Sequence, residues 1–267
     1  MIELPEACVL AEQIDKTLTG KTIVRAEANK SPHAFAMYTG DPASYSGMLS
    51  GKKIAGTAET DDGSVKIICG DMLLVVSTPI KYHAAGAKLQ VKHQLLLEFD
   101  DSSQISCTVQ MWGCMYCFPY DKNRGNGSPS PLTDAFDEAF FNSLISNVKQ
   151  NISAKAFLAT EQRIPGLGNG VLQDILFNAG IHPKRKLETL DAGGRKKIYD
   201  SVKSTLRQMR DEGGRDTERD LFGEKGGYRT ILSNITLKHP CRVCGGGLIR
   251  EAYLGGNIYY CPVCQPL

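Results

Sequence analysis

Four cysteines near the C-terminus form the pattern with the clearest chemistry in this sequence. They make two CxxC pairs with 16 residues between the pairs. The ligands are Cys241, Cys244, Cys261 and Cys264. Four thiolates at this spacing are typical of a tetrahedral structural zinc site. Residues 248–253 and 258–260 are strand-like, so we predict a β-hairpin fixed at its base by one Zn²⁺, which such a small module needs in order to fold.

A glycine-rich turn before a helix is a candidate anion site. Gly166-Leu167-Gly168-Asn169 precedes a helical pattern over residues 171–178. Glycines let a backbone approach a ligand closely, and the amides at a helix N-terminus attract phosphate. The Asn169 side-chain amide can donate to the same anion. An ordinary turn between two helices would have the same sequence, so the motif alone leaves both interpretations open.

The remaining pattern predicts an α+β fold. A helix is expected over residues 5–19, where apolar residues recur at helical spacing. Strand-like runs separated by turn signals then favour a sandwich or barrel. They cover residues 65–69, 72–77, 89–99 and 106–116. Helices are expected over 133–148, 155–161, 171–178 and 192–212. We predict an N-terminal domain at 1–120, a linker at 121–132, a helical domain at 133–238 and the zinc module at 239–267.

Composition narrows the possible classes of protein. The 267 residues are 42% hydrophobic and 22% charged, as expected for a packed globular protein. No apolar run is long enough to span a membrane, and the start is acidic and contains proline, so we expect a cytoplasmic location, at the nucleoid if the source is bacterial.

The charged residues are distributed unevenly along the chain. Residues 184–250 hold 16 basic and nine acidic residues, whereas the rest of the chain holds 15 basic and 20 acidic residues. This asymmetry favours a polyanion partner at the C-terminal side, although a solvated helix surface explains it equally well.

Three motifs together resemble one known family. The first motif is Glu3-Leu4-Pro5-Glu6, near the start of the chain. The second is the Gly166–Asn169 turn with the later segment Leu176-Phe177-Asn178-Ala179-Gly180-Ile181-His182-Pro183-Lys184-Arg185. The third is Tyr259-Tyr260 directly before the second CxxC pair, Cys261 and Cys264. In order and spacing they are similar to the formamidopyrimidine-DNA glycosylase / endonuclease VIII family. The resemblance implies an N-terminal β-sandwich, a helix–two-turn–helix domain and a zinc finger that grip double-stranded, damaged DNA as a monomer. It also implies that Gly168 and Asn169, with Lys155, hold a phosphate beside a flipped-out nucleotide.

The N-terminus departs from the family pattern. The family's N-terminal proline amine attacks the sugar C1′, and the adjacent glutamate transfers protons. Here that glutamate is Glu3, but residue 2 is Ile2. Methionine is normally removed only before small residues, so we expect Met1 to stay and to displace the free amine from Glu3. If Met1 were removed, the primary amine of Ile2 could attack instead. A small misplacement of reacting groups costs orders of magnitude in rate, so we predict reduced or lost lyase activity.

Four further positions lack the cation expected from the resemblance. Ser64 stands where the family has a lysine, and Gly256 stands where the finger has a phosphate-binding arginine. In the loop that fills the gap left by the flipped base, two arginines and a phenylalanine are replaced by Gln110, Met111 and Trp112. Trp112 can insert between bases, although a buried core position is an equal alternative. Arg250 is a candidate substitute for the missing cations.

The sequence is therefore compatible with three functions. The first is a glycosylase that hydrolyses the N-glycosidic bond with Glu3 and water, without a covalent imine. The second is a catalytically degenerate relative that binds damaged or distorted DNA. The third is a zinc-stabilised protein that binds RNA or another protein. The sequence does not identify a lesion.

Overall fold

A computed structural model describes residues 1–89, 92–123, 125, 127–148 and 150–267. They divide into two units, each described by itself below. The first contains Met1–Gly127 and Thr217–Gly226, and the second contains Ser128–Asp216 and Gly227–Leu267. The strand predicted over 89–99 and the linker predicted over 121–132 include four residues that lie outside the described ones. These are Gln90, Val91, Arg124 and Asn126.

The first unit begins with helix α1, Leu4–Leu18. Pro5 lies in the first turn, where a missing N–H costs nothing, and Glu6 is acidic at the positive end of the helix. The buried face carries Leu10, Ile14 and Leu18 at spacings of four residues, which places them on one side of the helix.

Two β-sheets and a short helix complete the first unit. Strands β1–β9 are Ile23–Ala28, Ala36–Tyr38, Ile54–Thr57, Val65–Cys69, Met72–Val76, Ile80–His83, Leu95–Phe99, Gln104–Cys107 and Gly113–Pro119, and helix α2 is Tyr45–Leu49. One sheet has the order β1-β7-β8-β6 and the other β2-β9-β5-β4-β3. The β2–β9 pair is parallel, and the other pairs are antiparallel. Inward-facing residues of both sheets share one core with α1, as in a sandwich.

The segment Thr217–Gly226, which the sequence analysis kept in the helical domain, is part of the first unit. Leu221 is fully buried in the core of that unit. Its backbone N–H donates to Gln13 Oε1 at 2.9 Å, and its carbonyl accepts the Tyr82 N–H at 2.8 Å. Burial of this apolar side chain and pairing of its backbone groups fix the segment there.

The second unit is helical and ends in a hairpin. Helices α3, α4 and α5 are Glu138–Ser146, Asn169–Ala179 and Ala192–Asp211, and a π-helical turn covers Ala156–Thr160. Asp137 and Asp191 cap α3 and α5 by accepting backbone N–H bonds. Strands β10 (Ile249–Tyr253) and β11 (Gly256–Tyr260) form the hairpin. The predicted α+β class is therefore confirmed. In the described part of the chain, no helix combines the length and apolarity that a bilayer span needs.

Candidate nucleic-acid interface and metal centre

The four predicted cysteine ligands converge at the base of the β10–β11 hairpin. All four Sγ atoms lie within 4.8 Å of one another. The Cys241–Cys264 and Cys244–Cys261 Sγ pairs are 3.8 and 3.4 Å apart. Tetrahedral thiolates about 2.3 Å from a zinc ion would be separated by about 3.8 Å, so the donor set fits that ion. The cluster can hold a metal.

Side chains of the helical part fasten the hairpin in place. Gln173 of α4 accepts the Tyr259 N–H at 2.9 Å and donates to the Asn257 carbonyl at 3.1 Å. Lys184 forms an ion pair with Glu251. These contacts hold β11 beside α4, so the metal-bearing hairpin and the glycine turn form one local structure.

The predicted anion-binding turn leads directly into α4. Gly166 has φ +78°, a left-handed conformation that glycine adopts without strain. Gly168 is the N-cap residue, and Asn169 is the first residue of the 11-residue helix. The helix ends at Gly180, which has φ +68°. The backbone therefore points the first amides of α4 out of the turn, as phosphate binding at a helix N-terminus requires.

Asn169, Lys155 and Gly256 lie together at the start of this helix. A Cβ atom on Gly256 would come within 2.4 Å of Asn169 Nδ2 and 3.6 Å of Lys155 Nζ. By the resemblance, Gly256 replaces an arginine. The structure adds that any side chain at this position would displace the Asn169 amide. We call Lys155, Asn169 and Gly256 the amide–ammonium cluster.

Lys155 is the buried cation of the amide–ammonium cluster. Its residue is 0% exposed, and its ammonium group donates to the Tyr253 carbonyl of β10. Burial lowers the pKa of Lys155, because desolvation disfavours the charged form. Nζ also lies 5.9 Å from the centre of the Tyr253 ring. An anion arriving at the cluster would therefore meet a partly desolvated cation.

A second buried cation lies next to the turn. A Cβ atom on Gly170 would come within 1.6 Å of Arg215 Nη1, so the guanidinium occupies the space that a side chain would need. Arg215 is 3% exposed. Its charge acts on the buried Asp174 carboxyl group of the same helix, whose pKa it helps to lower against the larger effect of burial. Nothing in the sequence singled out Arg215. The one sequence feature related to it is Gly170, because a glycine in the first turn of a helix leaves space for a neighbouring side chain.

Two other predicted positions lie outside the amide–ammonium cluster. Arg250 faces away from Glu251 and Tyr253, because side chains alternate along a strand, and its Nη1 lies 3.5 Å from Asn234 Oδ1. Ser64, in the first unit, is buried and donates to Asp62. Neither residue supplies a cation beside Asn169.

The residues predicted for catalysis lie at the start of α1. Glu3 is the N-cap residue, and its carbonyl accepts the Ala7 N–H at 2.9 Å. The Ile2 N–H donates to the Ser77 carbonyl at 3.0 Å, and the Ile2 side chain is 6% exposed within the core. Met1 is exposed. The nitrogen and side chain of Ile2 are therefore both used in packing the first unit.

Trp112 lies on the surface of the first unit, so the alternative of a buried core position is wrong. Its ring is half exposed and lies 4.7 Å, centre to centre, from the Phe35 ring at an angle of 31°. The sequence analysis did not select Phe35, Gln173 or Tyr253. Their roles depend on contacts between residues far apart in the chain, which periodicity does not report.

Two compact units, a glycine turn that opens a helix, and a four-cysteine hairpin define a helix–two-turn–helix protein with a C-terminal metal-binding finger. Comparison with known proteins agrees with this class. Residues 128–219 match the model of the formamidopyrimidine-DNA glycosylase H2TH domain. Formamidopyrimidine-DNA glycosylases from Heliobacterium modesticaldum and Enterococcus faecalis are each 25% identical to the chain. These matches cover 99 and 100% of the chain, and 100 and 98% of the relatives.

Solved structures show the same fold. The Lactococcus lactis Fpg in complex with DNA containing an abasic site has a TM-score of 0.86 and 22% identity, over 99% of this chain and 100% of that one. MutM (Fpg) from Thermus thermophilus has a TM-score of 0.81 and 20% identity, over 98% of each chain. Residues 128–219 therefore match the H2TH domain of this family, and the whole chain is similar to formamidopyrimidine-DNA glycosylases over nearly its full length.

Proposed function

We propose that this chain binds duplex DNA at a damaged nucleotide and hydrolyses the bond between its base and its sugar. The observation that carries the proposal is the amide–ammonium cluster at the N-terminus of α4. It combines an amide donor and a buried cation at the start of the helix with a glycine packed directly against the amide. The family, and the DNA complex of the Lactococcus lactis relative, support duplex DNA as the source of that phosphate.

The metal centre has a structural role in this proposal. The four-thiolate donor set fits Zn²⁺, which would close the base of the hairpin and so keep Gly256 beside Asn169. The zinc ion supplies no chemistry to the reaction. Metal analysis of the purified chain should give one zinc per molecule. Removal of the zinc by a chelator should abolish DNA binding while the first unit stays folded.

Glu3 is the proposed catalytic residue. It accepts a proton from water, the oxygen of that water bonds to the sugar C1′, and the C1′–N bond breaks. The base leaves with the electron pair and takes up a proton. No imine forms at Ile2, because with Met1 retained its nitrogen is a peptide nitrogen without a free lone pair. That nitrogen donates to the Ser77 carbonyl, and the Ile2 side chain is anchored in the core. We therefore propose that the lyase step of the family is weak or lost in this chain.

The same observation at Ile2 favours a second candidate function. A chain that has lost its nucleophile but keeps the amide–ammonium cluster would recognise damaged or distorted DNA without excising a base. Both functions predict tighter binding to a duplex with an abasic-site analogue than to single-stranded RNA. They separate on base release, which only the first predicts.

Binding through the cluster is tested with Asn169→Ala. This variant should lose about tenfold or more in affinity for the abasic duplex, because one charge-assisted contact to phosphate is removed. Asn178→Ala is the matched control: Asn178 lies in the same helix, and its amide donates internally to Thr205 Oγ1 at 3.0 Å. Equal affinity of wild type and Asn169→Ala would show that the cluster does not bind the phosphate.

A further inference from the structure

A cavity opens on the second unit between the C-terminal half of α4 and the segment that leads to the first cysteine pair. Its volume is about 230 Å³. The lining includes four apolar side chains and two arginines, and these are Phe177, Ile231, Leu232 and Leu248, with Arg229 and Arg242. We call this site the arginine-rimmed cavity. A concave apolar site with a few charged groups is the usual form of a binding site.

The floor of the arginine-rimmed cavity is apolar and fixed in place. Phe177, Ile231 and Leu232 belong to one buried cluster that also contains the metal ligand Cys241. The N–H groups of Ile231 and Leu232 donate to the Asp174 carboxyl group of α4, each at 2.9 Å. The floor is therefore attached to the helix before any ligand arrives, which reduces the entropy lost on binding.

The two arginines carry charge that the chain itself neutralises little. The Arg229 side chain is 88% exposed, and its Nη1 lies 3.9 Å from Asp216 Oδ2. The Asp216 carboxylate already accepts the Thr230 hydroxyl at 2.7 Å. The Arg242 guanidinium lies 6.0 Å from the centre of the Phe177 ring, and within the described part of the chain it forms no ion pair. Both guanidinium groups can therefore accommodate carboxylates of a partner.

Large apolar side chains are also exposed close in sequence to the residues of the cavity. Ile235, three positions after Leu232, is 56% exposed, and Val243, which follows Arg242, is 70% exposed. Exposed apolar side chains together with a charged rim are typical of a contact site for another protein.

The chemistry of the floor favours a protein segment over a nucleic acid. Nucleobases stack on exposed aromatic faces, whereas the Phe177 ring is buried and the other apolar lining residues are aliphatic. A closed apolar floor of this size suits one large apolar side chain. The arginines then suit carboxylates on the residues next to that side chain.

We propose that the arginine-rimmed cavity binds an acidic peptide segment of a partner protein. The segment inserts one large apolar side chain into the cavity and pairs its carboxylates with Arg229 and Arg242. Phe177 lies eight residues after Asn169 in α4, which is about 12 Å along the helix. The cavity and the amide–ammonium cluster are therefore at opposite ends of α4, so the chain can hold a partner protein and DNA together.

A synthetic peptide of four aspartates and one phenylalanine tests the proposal. The zinc-loaded full chain is titrated against the labelled peptide at low salt, and fluorescence anisotropy should show saturable binding. Replacement of the phenylalanine by alanine should weaken binding by about tenfold or more, because burial of the ring is lost. Replacement of the aspartates by lysines should abolish binding, because lysines repel the arginines. A single-stranded pentanucleotide, which has four phosphates, should not displace the peptide.

Charge-reversed variants test the role of the two arginines. Arg229→Glu and Arg242→Glu should each weaken peptide binding by about tenfold, because a favourable charge pair becomes a repulsive one. Arg207→Glu is the matched control, since Arg207 is an exposed arginine of α5 that does not line the cavity. All three residues are exposed, so a folding defect is not expected, and zinc content shows that the finger is intact.

Several results would overturn the proposal. One is the absence of saturable peptide binding, and another is equal affinity of the wild type and both cavity variants. Equal binding of the phenylalanine and alanine peptides would assign the contact to charge alone and reject the cavity. Displacement of the peptide by the pentanucleotide would assign the arginines to nucleic acid. The proposed function is tested separately, by duplex binding and base release.

Discussion

Gly256 on the hairpin and Asn169 at the start of α4 lie so close that a Cβ atom on Gly256 would come within 2.4 Å of Asn169 Nδ2. The position that resembles a lost arginine is therefore one where an added side chain would force the Asn169 side chain to move. Lys155 Nζ lies next to the same space. The positive charge at this site comes from the helical part of the unit, and the finger packs directly against it through Tyr253 and Gly256.

Gly256→Ala should weaken binding to the abasic duplex by about tenfold, because the added methyl group pushes the Asn169 amide out of place. Gly247→Ala is the matched control within the finger, since a Cβ atom there meets nothing within 4 Å. Fluorescence anisotropy measures both variants, and zinc content shows that the finger is intact. Equal affinity of Gly256→Ala and Gly247→Ala would mean that Asn169 does not set the affinity.

Lys155 should make DNA binding depend on pH. Burial lowers its pKa, so the free protein loses this charge at a lower pH than an exposed lysine would. A bound phosphate favours the charged form, so binding takes up a proton and affinity falls as pH rises from neutral toward alkaline. Calorimetry in buffers of different ionisation enthalpy measures the uptake.

The matched variants for this pH effect are Lys155→Arg and Lys184→Arg. Arginine stays charged throughout the range, so Lys155→Arg should flatten the pH dependence. Lys184 pairs with Glu251, and its pKa is raised by that hydrogen bond, so Lys184→Arg should leave the pH dependence unchanged. A wild-type protein with no proton uptake on binding would contradict the assignment of Lys155.

The metal-binding hairpin was predictable from sequence because its spacing alone defines the ligand set. The strand expected over residues 106–116 is instead two strands, since residues 108–112 form the loop that exposes Trp112. The short strands β2, β3 and β6 were missed because three or four residues carry too little periodicity. The contact between Asn169 and Gly256 joins residues 87 positions apart. No local pattern reports such a pairing.

Asp174 should give folding stability a measurable pH slope. Burial raises its pKa to about 6, although the Ile231 and Leu232 N–H groups each donate to it at 2.9 Å. The unfolded value is about 3.9, so the folded state holds this proton more tightly. The contribution of Asp174 to stability is therefore greatest below about pH 4 and falls as pH rises to about 6.

Denaturant unfolding of wild type and Asp174→Asn at several pH values isolates this contribution. Their difference in free energy of unfolding should change between about pH 4 and 6 and be constant above that range. A difference that does not vary with pH would show that Asp174 titrates at an ordinary value. The comparison within one pH cancels effects of acid on the zinc thiolates, which both proteins share.

The chain should form little covalent adduct with DNA. With Met1 retained, the Ile2 nitrogen is a peptide nitrogen and not a nucleophile for C1′. It donates to the Ser77 carbonyl, and the Ile2 side chain is in the core. Intact-mass analysis should show that Met1 is retained. Borohydride trapping on an abasic duplex should yield only traces of adduct, with a family member that has an N-terminal proline as the positive control. A strong adduct mapped to the N-terminal amine would refute this.

Release of free base from damaged duplex DNA tests the central claim most directly. The wild type and Glu3→Gln are incubated under single-turnover conditions with duplexes carrying a panel of oxidised and ring-opened bases, and free base is quantified by mass spectrometry. The wild type should release at least one base and Glu3→Gln none, with equal DNA affinity for both. Tight duplex binding by the wild type with no base released from any duplex would contradict it and leave a DNA-recognition protein without glycosylase activity.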